Sequence, residues 1–412
     1  MDHMRWEPLN PPASPPAPPV PASPASFCGD RGDFFRLVAR GAALELVTAG
    51  FYRFWLATDI RRHLWSNITV DGDAPEYTGR GKELLIGFLF ALAILVPVYL
   101  AYFIAGLEAE RFKAFGSFPL FVFFYLFGQF AVYRARRYRL TRTVWRSVRF
   151  WMDGSGWAYA ARAVLWALLT LLTLGLALPW REAALERYKM CHSHYGDLQG
   201  SFDGRGWEFF KRGWKLWLVT ALPFIATILA PTIRKAAGLP LGALRVIGLL
   251  TLVWMIALPF IYGAFKAIEW RWWVSGIRFG EVRFESKLPH DALLGLYWTV
   301  IGWFVLAAAV FAIYLKLSVS LIGRGTIAQL FIAGHLKDNV PMLVLIGLGY
   351  LAFILALNVV KRVYLMRDLW ARIADSTLVH DIAGAANVTA MGDMADAVGE
   401  GLADGLDLVV GF

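Results

Sequence analysis

The stretch Thr48–Glu83 returns 125 residues later as Thr173–Glu208. Without a gap, Thr48, Gly50, Trp55, Arg62, Gly79, Arg80, Gly81 and Glu83 fall on Thr173, Gly175, Trp180, Arg187, Gly204, Arg205, Gly206 and Glu208. Each copy opens on an apolar turn, runs through a basic helical stretch and ends in Gly-x-Gly before another apolar run. Self-similarity of this kind sets architecture, because each copy must be one supersecondary unit in one kind of surroundings.

Those surroundings follow from composition. Apolar residues make up 58% of the chain and charged residues 17%, against roughly 45–50% and ~25% in soluble domains. Eighteen Trp and thirty Phe, many beside charged clusters, fit interfacial aromatic belts. The fold class predicted is a mainly α, polytopic membrane protein with about six transmembrane helices. The spans are Leu84–Gly106, Phe118–Tyr133, Leu216–Ile233, Val246–Phe265, Ala292–Leu315 and Pro341–Val360. Phe118–Tyr133 is the shortest, rising about 24 Å against a hydrocarbon core of about 30 Å. Ala163–Trp180 is long enough to cross, but crossing would put the two copies on opposite faces. It also carries a Thr-x-Gly break, so it is expected to be a re-entrant or interfacial helix pair. Phe34–Val47, with Arg36, Arg40 and Glu45 among apolar residues and ended by Thr48-Ala49-Gly50, reads as an amphipathic or re-entrant helix.

Between basic helix and Gly-x-Gly the copies carry hairpin signals. Asp71-Gly72 separates Ile68–Val70 from a run through Tyr77. Gly196-Asp197 separates His192–Tyr195 from Leu198–Phe202, and Gly280-Glu281 separates Ile277–Phe279 from Val282–Glu285. Gly beside a short polar residue between β-prone runs predicts short hairpins, gathered on the cytoplasmic face and pairing into a small sheet. Arg137-Tyr138 with Asp153–Trp157 matches Arg187-Tyr188 with Asp203–Trp207 at an offset of 50, and worn versions sit at Phe260–Leu294 and Val359–Gly384. The count is five copies. Ser26–Leu37 resembles Ser201–Arg212, so the chain begins on the closing half of a copy.

Residues 1–26 read as a disordered tail with nine prolines in 8–24, leaning to polyproline and forming neither helix nor sheet. Residues 27–372 read as one repeat-built membrane domain. From 373 to 412 there are seven acidic residues and no Lys or Arg. That tail is either disordered or lies back on the basic stretches, and the spacing of Leu402, Leu406, Val409 and Val410 is that of a short docked helix. No cleaved signal peptide is expected. Of 41 Lys and Arg, eight fall in 107–117, 234–245 and 316–340, leaving 33 on the repeat side. By the positive-inside rule that side, and both termini with it, is cytoplasmic. The net charge of +10 needs no nucleic-acid partner.

The motifs together carry a resemblance. Phe27-Cys28-Gly29 before Phe34-Phe35-Arg36, Thr48-x-Gly50-Phe51 with Trp55, the Arg-rich helix, Asp71-Gly72, Gly79-x-Gly81-Lys82-Glu83-Leu84-Leu85 and the ending Met391–Phe412 resemble the YjgN family of bacterial inner-membrane proteins. The resemblance covers Phe27 to Phe412, with Ala49 standing where the family has Leu. It implies a multi-pass protein of the bacterial inner membrane, uncharacterised in function, and brings no catalytic residues.

The residues themselves offer two anion-binding constellations. Gly79, Gly81, Gly154, Gly156, Gly204 and Gly206 each precede a helix start, where free N–H groups can hold a phosphate such as a lipid headgroup. The structural reading is a tight turn with a capping oxygen. Arg61, Arg62, Arg136, Arg137 and Arg187 sit beside the membrane and read as contacts to anionic lipid or as topology signals. Cys191-His192-Ser193-His194 has metal-ligand letters but no second cluster to complete a site. With no nucleophile–base arrangement, Walker loop or dinucleotide fingerprint, the chain is expected to be non-enzymatic and free of cofactors. Its partner is the bilayer, and its activity is passage or binding of a lipid or small solute. The alternative is a scaffold that binds anionic lipid or a cytoplasmic partner through its Arg-rich face.

Overall fold

The computed structural model describes residues 22–108, 117–238, 241–322 and 340–405. Strand β1 (Ser23–Phe27) is followed by helices α1 (Arg31–Val47) and α2 (Arg53–Ser66), then by strands β2 (Ile68–Val70) and β3 (Glu76–Tyr77). Helices α3 (Gly81–Glu108) and α4 (Ser117–Thr141) lead to β4 (Thr143–Trp145) and β5 (Val148–Met152). Helices α5 (Gly156–Leu172) and α6 (Leu178–Cys191) lead to β6 (Ser193–Tyr195) and β7 (Leu198–Phe202). Helices α7 (Gly206–Ala237) and α8 (Leu241–Gly276) lead to β8 (Ile277–Phe279) and β9 (Val282–Ser286). Last come α9 (Leu294–Ile322), α10 (Val340–Val360), a π-helical stretch Lys361–Asp368, α11 (Leu369–Asp375), β10 (Thr377–His380) and α12 (Val398–Gly405).

Five helical stretches are long and apolar enough to cross a membrane: Gly81–Ile104, Gly206–Thr232, Gly248–Gly276, Leu294–Ser318 and Leu343–Asp375. Among the described residues that is one fewer than the six expected. Phe118–Tyr133 does form helix, inside α4, which continues into Arg134, Arg136, Arg137 and Arg139 and is not among the five.

The Thr-x-Gly breaks have one geometry at both sites. Thr48 Oγ1 donates to Leu44 O (2.7 Å) and accepts from Tyr52 N (2.9 Å), so one hydroxyl closes α1 and leads into α2. Thr173 does the same between Leu169 O (2.8 Å) and Ala177 N (3.1 Å), ending α5 before α6. The next two residues take positive φ, 49° and 88° at Ala49-Gly50 and 49° and 89° at Leu174-Gly175. Gly50 N then reaches Glu45 O and Gly175 N reaches Thr170 O, both at 2.7 Å. Glycine follows because the second position has the larger φ, where a Cβ is costly. Ala163–Trp180 is therefore two helices and a turn.

The sheet has ten strands, all neighbours antiparallel, in the order β2-β1-β10-β9-β8-β7-β6-β5-β4-β3. This is sequence order closed into a cycle, with the first strand paired to the last, and the sheet curls. Apart from β1, each strand follows a helix or a tight turn, so helix junctions share one edge of the sheet and turns share the other. Alternation sorts the faces. Phe150, Phe279, Phe284 and Val379 point to the concave side, in contact with the buried Tyr195 and Val282, while Arg149, Arg278 and Arg283 alternate with them.

Two expectations are corrected here. Asp71-Gly72 turns the chain, with φ of 53° and 81°, but makes no hairpin ladder. Only an isolated bridge joins Val70 to Asp73; β2 pairs with β1, β3 pairs with β4, and the two lie at opposite ends of the sheet. Pro75, without an N–H to donate, falls where a ladder would continue. The proline-rich tail, for its part, contributes strand: Ser23 and Pro24 pair with β10 while pairing to β2 starts at Ala25. Pro24 thus stands where the strand is laddered on one side only. The remainder of that tail, to residue 21, lies outside the described residues, as do Leu406, Val409 and Val410.

The stretch after β10 is folded. Ile382 and Ala385 cover the concave face of the sheet, and Thr389 N bonds Asp197 Oδ1 at 3.1 Å. Ala395 N bonds Thr141 Oγ1 at 3.4 Å, and α12 then enters between α3 and α4. A Cβ on Gly401 would lie 2.0 Å from the backbone of Gly87, and one on Gly399 2.1 Å from Arg134. Glycines let this acidic helix seat against both neighbours.

Candidate functional site

Three helices that run into the sheet, α4, α6 and α8, converge on a cavity of about 200 Å³ lined by charged side chains. Arg136 comes from α4, Glu182, Glu186 and Lys189 from α6, and Lys266 and Glu269 from α8, with Trp270, Trp272 and Trp273 completing the wall. On α6 the three charges recur at spacings of four and three, which puts them on one helical face. Glu186 is the hub. Its carboxylate accepts from Arg136 Nη1 at 3.1 Å and pairs with Lys189. Lys266 Nζ meets Glu269 Oε2 at 2.5 Å, and Arg181 Nη1 meets Glu182 Oε1 at 3.0 Å.

Burial acts differently on the two α6 acids. It opposes the charge of Glu186, but Lys189 and Arg136 outweigh it and push the carboxyl down to about 2. At Glu182 burial prevails over Arg181 and Lys189, and the carboxyl is raised. Burial likewise works against the Lys189 ammonium, and Glu186 overcomes it, so that group is raised. The cavity therefore holds one firmly ionised acid beside one that takes a proton more readily.

A second cluster lies under α12. Glu400 is buried and pairs with Arg61 of α2 and, at 3.4 Å, with Arg139 Nε of α4. Arg61 also donates to Tyr77 Oη at 3.2 Å. Burial opposes both guanidinium charges. At Arg61 the Glu400 carboxylate outweighs it and the group is raised, whereas at Arg139 burial wins and pushes the group down to about 10. Arg61 and Arg136 precede Glu186 by the sequence offsets of 125 and 50. All three turn their side chains inward, and two of the five arginines read as lipid contacts are internal ion-pair partners.

The other three are distributed differently. Arg62 and Arg187 are exposed, and their Nη2 atoms donate to the first glycine of their own Gly-x-Gly, Gly79 O at 3.3 Å and Gly204 O at 3.5 Å. Arg137 is half-buried, and its Nε has no hydrogen-bond partner among the described residues. The second glycines share one contact. A Cβ on Gly81 would lie 2.8 Å from Trp55 Cα, one on Gly206 2.8 Å from Trp180 Cα, and one on Gly156 2.9 Å from the Phe130 ring. First glycines are as close-fitted, Gly79 to Tyr77, Gly204 to Phe202 and Gly154 to His192. Close approach of the strand exit to the preceding helix accounts for these glycines without a ligand. At the third copy the turn also borders an open polar pocket of about 690 Å³, where Arg187, Arg205, Arg212 and Arg278 gather around Gly204. There Asp203 Oδ2 holds Arg278 Nε at 2.6 Å.

The Cys-His stretch is divided among separate contacts. His192 Nδ1 lies 2.7 Å from Tyr188 O, and the His194 ring stacks on Trp151 with centroids 4.1 Å apart. Among the described residues no group of three or more His, Cys, Asp or Glu is placed to hold a metal ion.

Sequence reasoning passed over Lys266, Glu269 and Glu400. The first two follow directly on the apolar run Val246–Phe265, and their Lys-x-x-Glu spacing was the available signal. Glu400 had only its place among acidic residues after a basic chain.

Comparison with known proteins gives one match. The model of a family described as a bacterial protein of unknown function (DUF898) matches residues 22–405, and the YjgN family belongs to it. No curated protein and no solved structure matches.

Proposed function

Because the chain belongs to this DUF898 family of bacterial proteins of unknown function, we propose from its geometry that it binds a small solute, or the polar head of a lipid, in the charged cavity of α4, α6 and α8 and passes it along the helix interior. The observation that supports this reading is the cavity itself. Three acids and three bases line one space where α4, α6 and α8 meet, in a chain with five helices long and apolar enough to cross a membrane, and ionisable groups gathered inside a membrane protein mark solute pathways. In this reading the protein lies in the inner membrane with both termini and the sheet cytoplasmic. α4 crosses as the sixth span, helix pairs α1–α2 and α5–α6 are re-entrant, and five repeats of a helix leading into a strand surround the interior. Broken helices that line a polar interior are a recurring transporter arrangement.

The test is access. In a Cys28→Ser/Cys191→Ser background, Val132→Cys places a thiol in the cavity wall. A membrane-impermeant thiosulfonate reagent is expected to modify it in sealed vesicles. Reaction from both sides supports passage, and reaction from one side supports binding alone. A thiol unreactive from either side overturns the reading.

A second reading has its own observation, the four arginines around Gly204, which fit an anionic headgroup. Arg205→Gln with Arg212→Gln is expected to lower the phosphatidylglycerol retained in native mass spectra. Unchanged retention counts against it.

A further inference from the structure

The curled sheet lines a second, partly open cavity of about 370 Å³ on the side opposite its charged face. Its walls are inward positions of the strands, among them Ile68, Val70, Phe150, Phe284 and Val379. Trp65, Leu140 and Trp370 form the floor at the helix edge, and Ile382 and Ala385 form the roof. Polar atoms near the wall are already committed. Trp65 Nε1 donates to Thr143 Oγ1 (3.0 Å), Thr143 Oγ1 to Arg139 O (2.9 Å) and Tyr195 Oη to Trp145 O (3.0 Å).

A space of this size exceeds the voids of packed interiors, which seldom surpass a water molecule. It falls in the range of ligand pockets. Water gains little from walls that offer no hydrogen bonds, so an apolar cavity of this kind stays dry or takes an apolar guest. The occupant must bring hydrocarbon and no polar group into the chamber. Among the described residues the ladder is interrupted only between β2 and β3, where the Val70–Asp73 bridge alone joins the chain, and Val70 and Pro75 beside it both line the space. β3, β7, β8 and β9 join directly to α3, α7, α8 and α9, which are long and apolar enough to cross a membrane. A store of hydrocarbon chains would therefore border the helix edge of the sheet, where Trp65, Leu140 and Trp370 lie.

We propose that the curled sheet binds a single hydrocarbon chain, from a bilayer lipid or a free fatty acid, in the chamber roofed by Ile382 and Ala385. The site is distinct from the charged cavity and does not depend on whether that cavity passes a solute.

The experiment is photolabelling of the full chain in nanodiscs, with peptides read by mass spectrometry. One arm uses a fatty acid with a diazirine at its tail, the other a phosphatidylglycerol with the same tail. Label is expected on Val282–Ser286 and Thr377–His380 as well as on the lipid-facing helices. Ala385→Phe, which fills the chamber from its roof, is expected to reduce strand labelling at least tenfold and leave helix labelling unchanged. Ala385→Leu, a smaller filling, serves if the first variant fails to fold. Strand label from the phospholipid arm identifies a bilayer lipid, and from the fatty-acid arm alone a free acid. Label confined to the helices, or strand label that persists in a folded filled variant, overturns the proposal.

Discussion

At the level of single residues the molecule is governed by buried charges that answer one another. Glu186 stands between Arg136 and Lys189, and removing one partner of such a group costs about 3–5 kcal/mol. Glu186→Gln is expected to lower the thermal midpoint in detergent by several degrees at neutral pH. The carboxyl is ordinarily near 4.5 and is held at about 2 in the fold. Its stabilisation is therefore complete above pH 4.5 and disappears as the pH falls toward 2. The wild type should lose stability across that interval more steeply than Glu186→Gln, as read by thermal unfolding at stepped pH. Gly206 makes a different demand. Because a Cβ there meets the backbone of Trp180, Gly206→Ala should cost about 1–3 kcal/mol. Gly242→Ala, with open space around it, should cost no more than helix propensity gives back. Sequence supplied the glycines and the arginines but not their purposes. A guanidinium beside a membrane looks the same in a string whether it meets a phosphate or a carboxylate 339 residues away, as Arg61 does.

Among the elements, local chemistry was legible wherever a backbone requirement imposed a residue type. Thr-x-Gly is visible because one hydroxyl bridges two helix ends and the next two residues need positive φ. Thr173→Val keeps the shape and removes both bonds, and should lower stability by about 1–2 kcal/mol, measurable as a drop in unfolding temperature. Gly196 and Gly280 announced their hairpins for the same reason. The β4–β5 hairpin went unread because its turn is Arg146-Ser147, both residues at positive φ without glycine. Its compensation is tertiary: Arg146 pairs with Asp71 Oδ2 at 2.7 Å and Asp73 Oδ2 at 2.6 Å. Asp71-Gly72 misled for the converse reason, since a good turn fixes local direction and leaves the choice of strand partner to the rest of the sheet. α12 was half visible. Its acidity suggested a basic partner, but the glycines that let it enter between α3 and α4 resemble those of a flexible tail.

Over the whole molecule, what the sequence could show was periodic and what it hid was cyclic. An offset of 125 residues reports that two stretches of sequence are alike, not that the first strand pairs with the last, and the chamber inside the sheet is walled by strands from β2 to β10 that this pairing brings together. The stretch from Ile382 to Gly405 stands outside the strand order, since it covers the sheet and carries Glu400 between α3 and α4. Deleting residues 396–412 leaves Arg61 and Arg139 without that carboxylate. The deletion should lower the unfolding temperature at least as far as Glu400→Gln does. A truncated protein as stable as the wild type would show that α12 does not hold the fold.

The pairing of β1 with β10 has a consequence for biosynthesis. Ser23 meets Val379, so β1 must wait for a strand synthesised more than 350 residues after it. Until then β1 presents an unmatched edge, and the sheet has no means of closing. Nascent chains stopped short of residue 380 should remain protease-sensitive throughout the sheet, however many helices have already been inserted. The ten-strand order is reached only when β10 has been made, because β1 and β9 both pair with it.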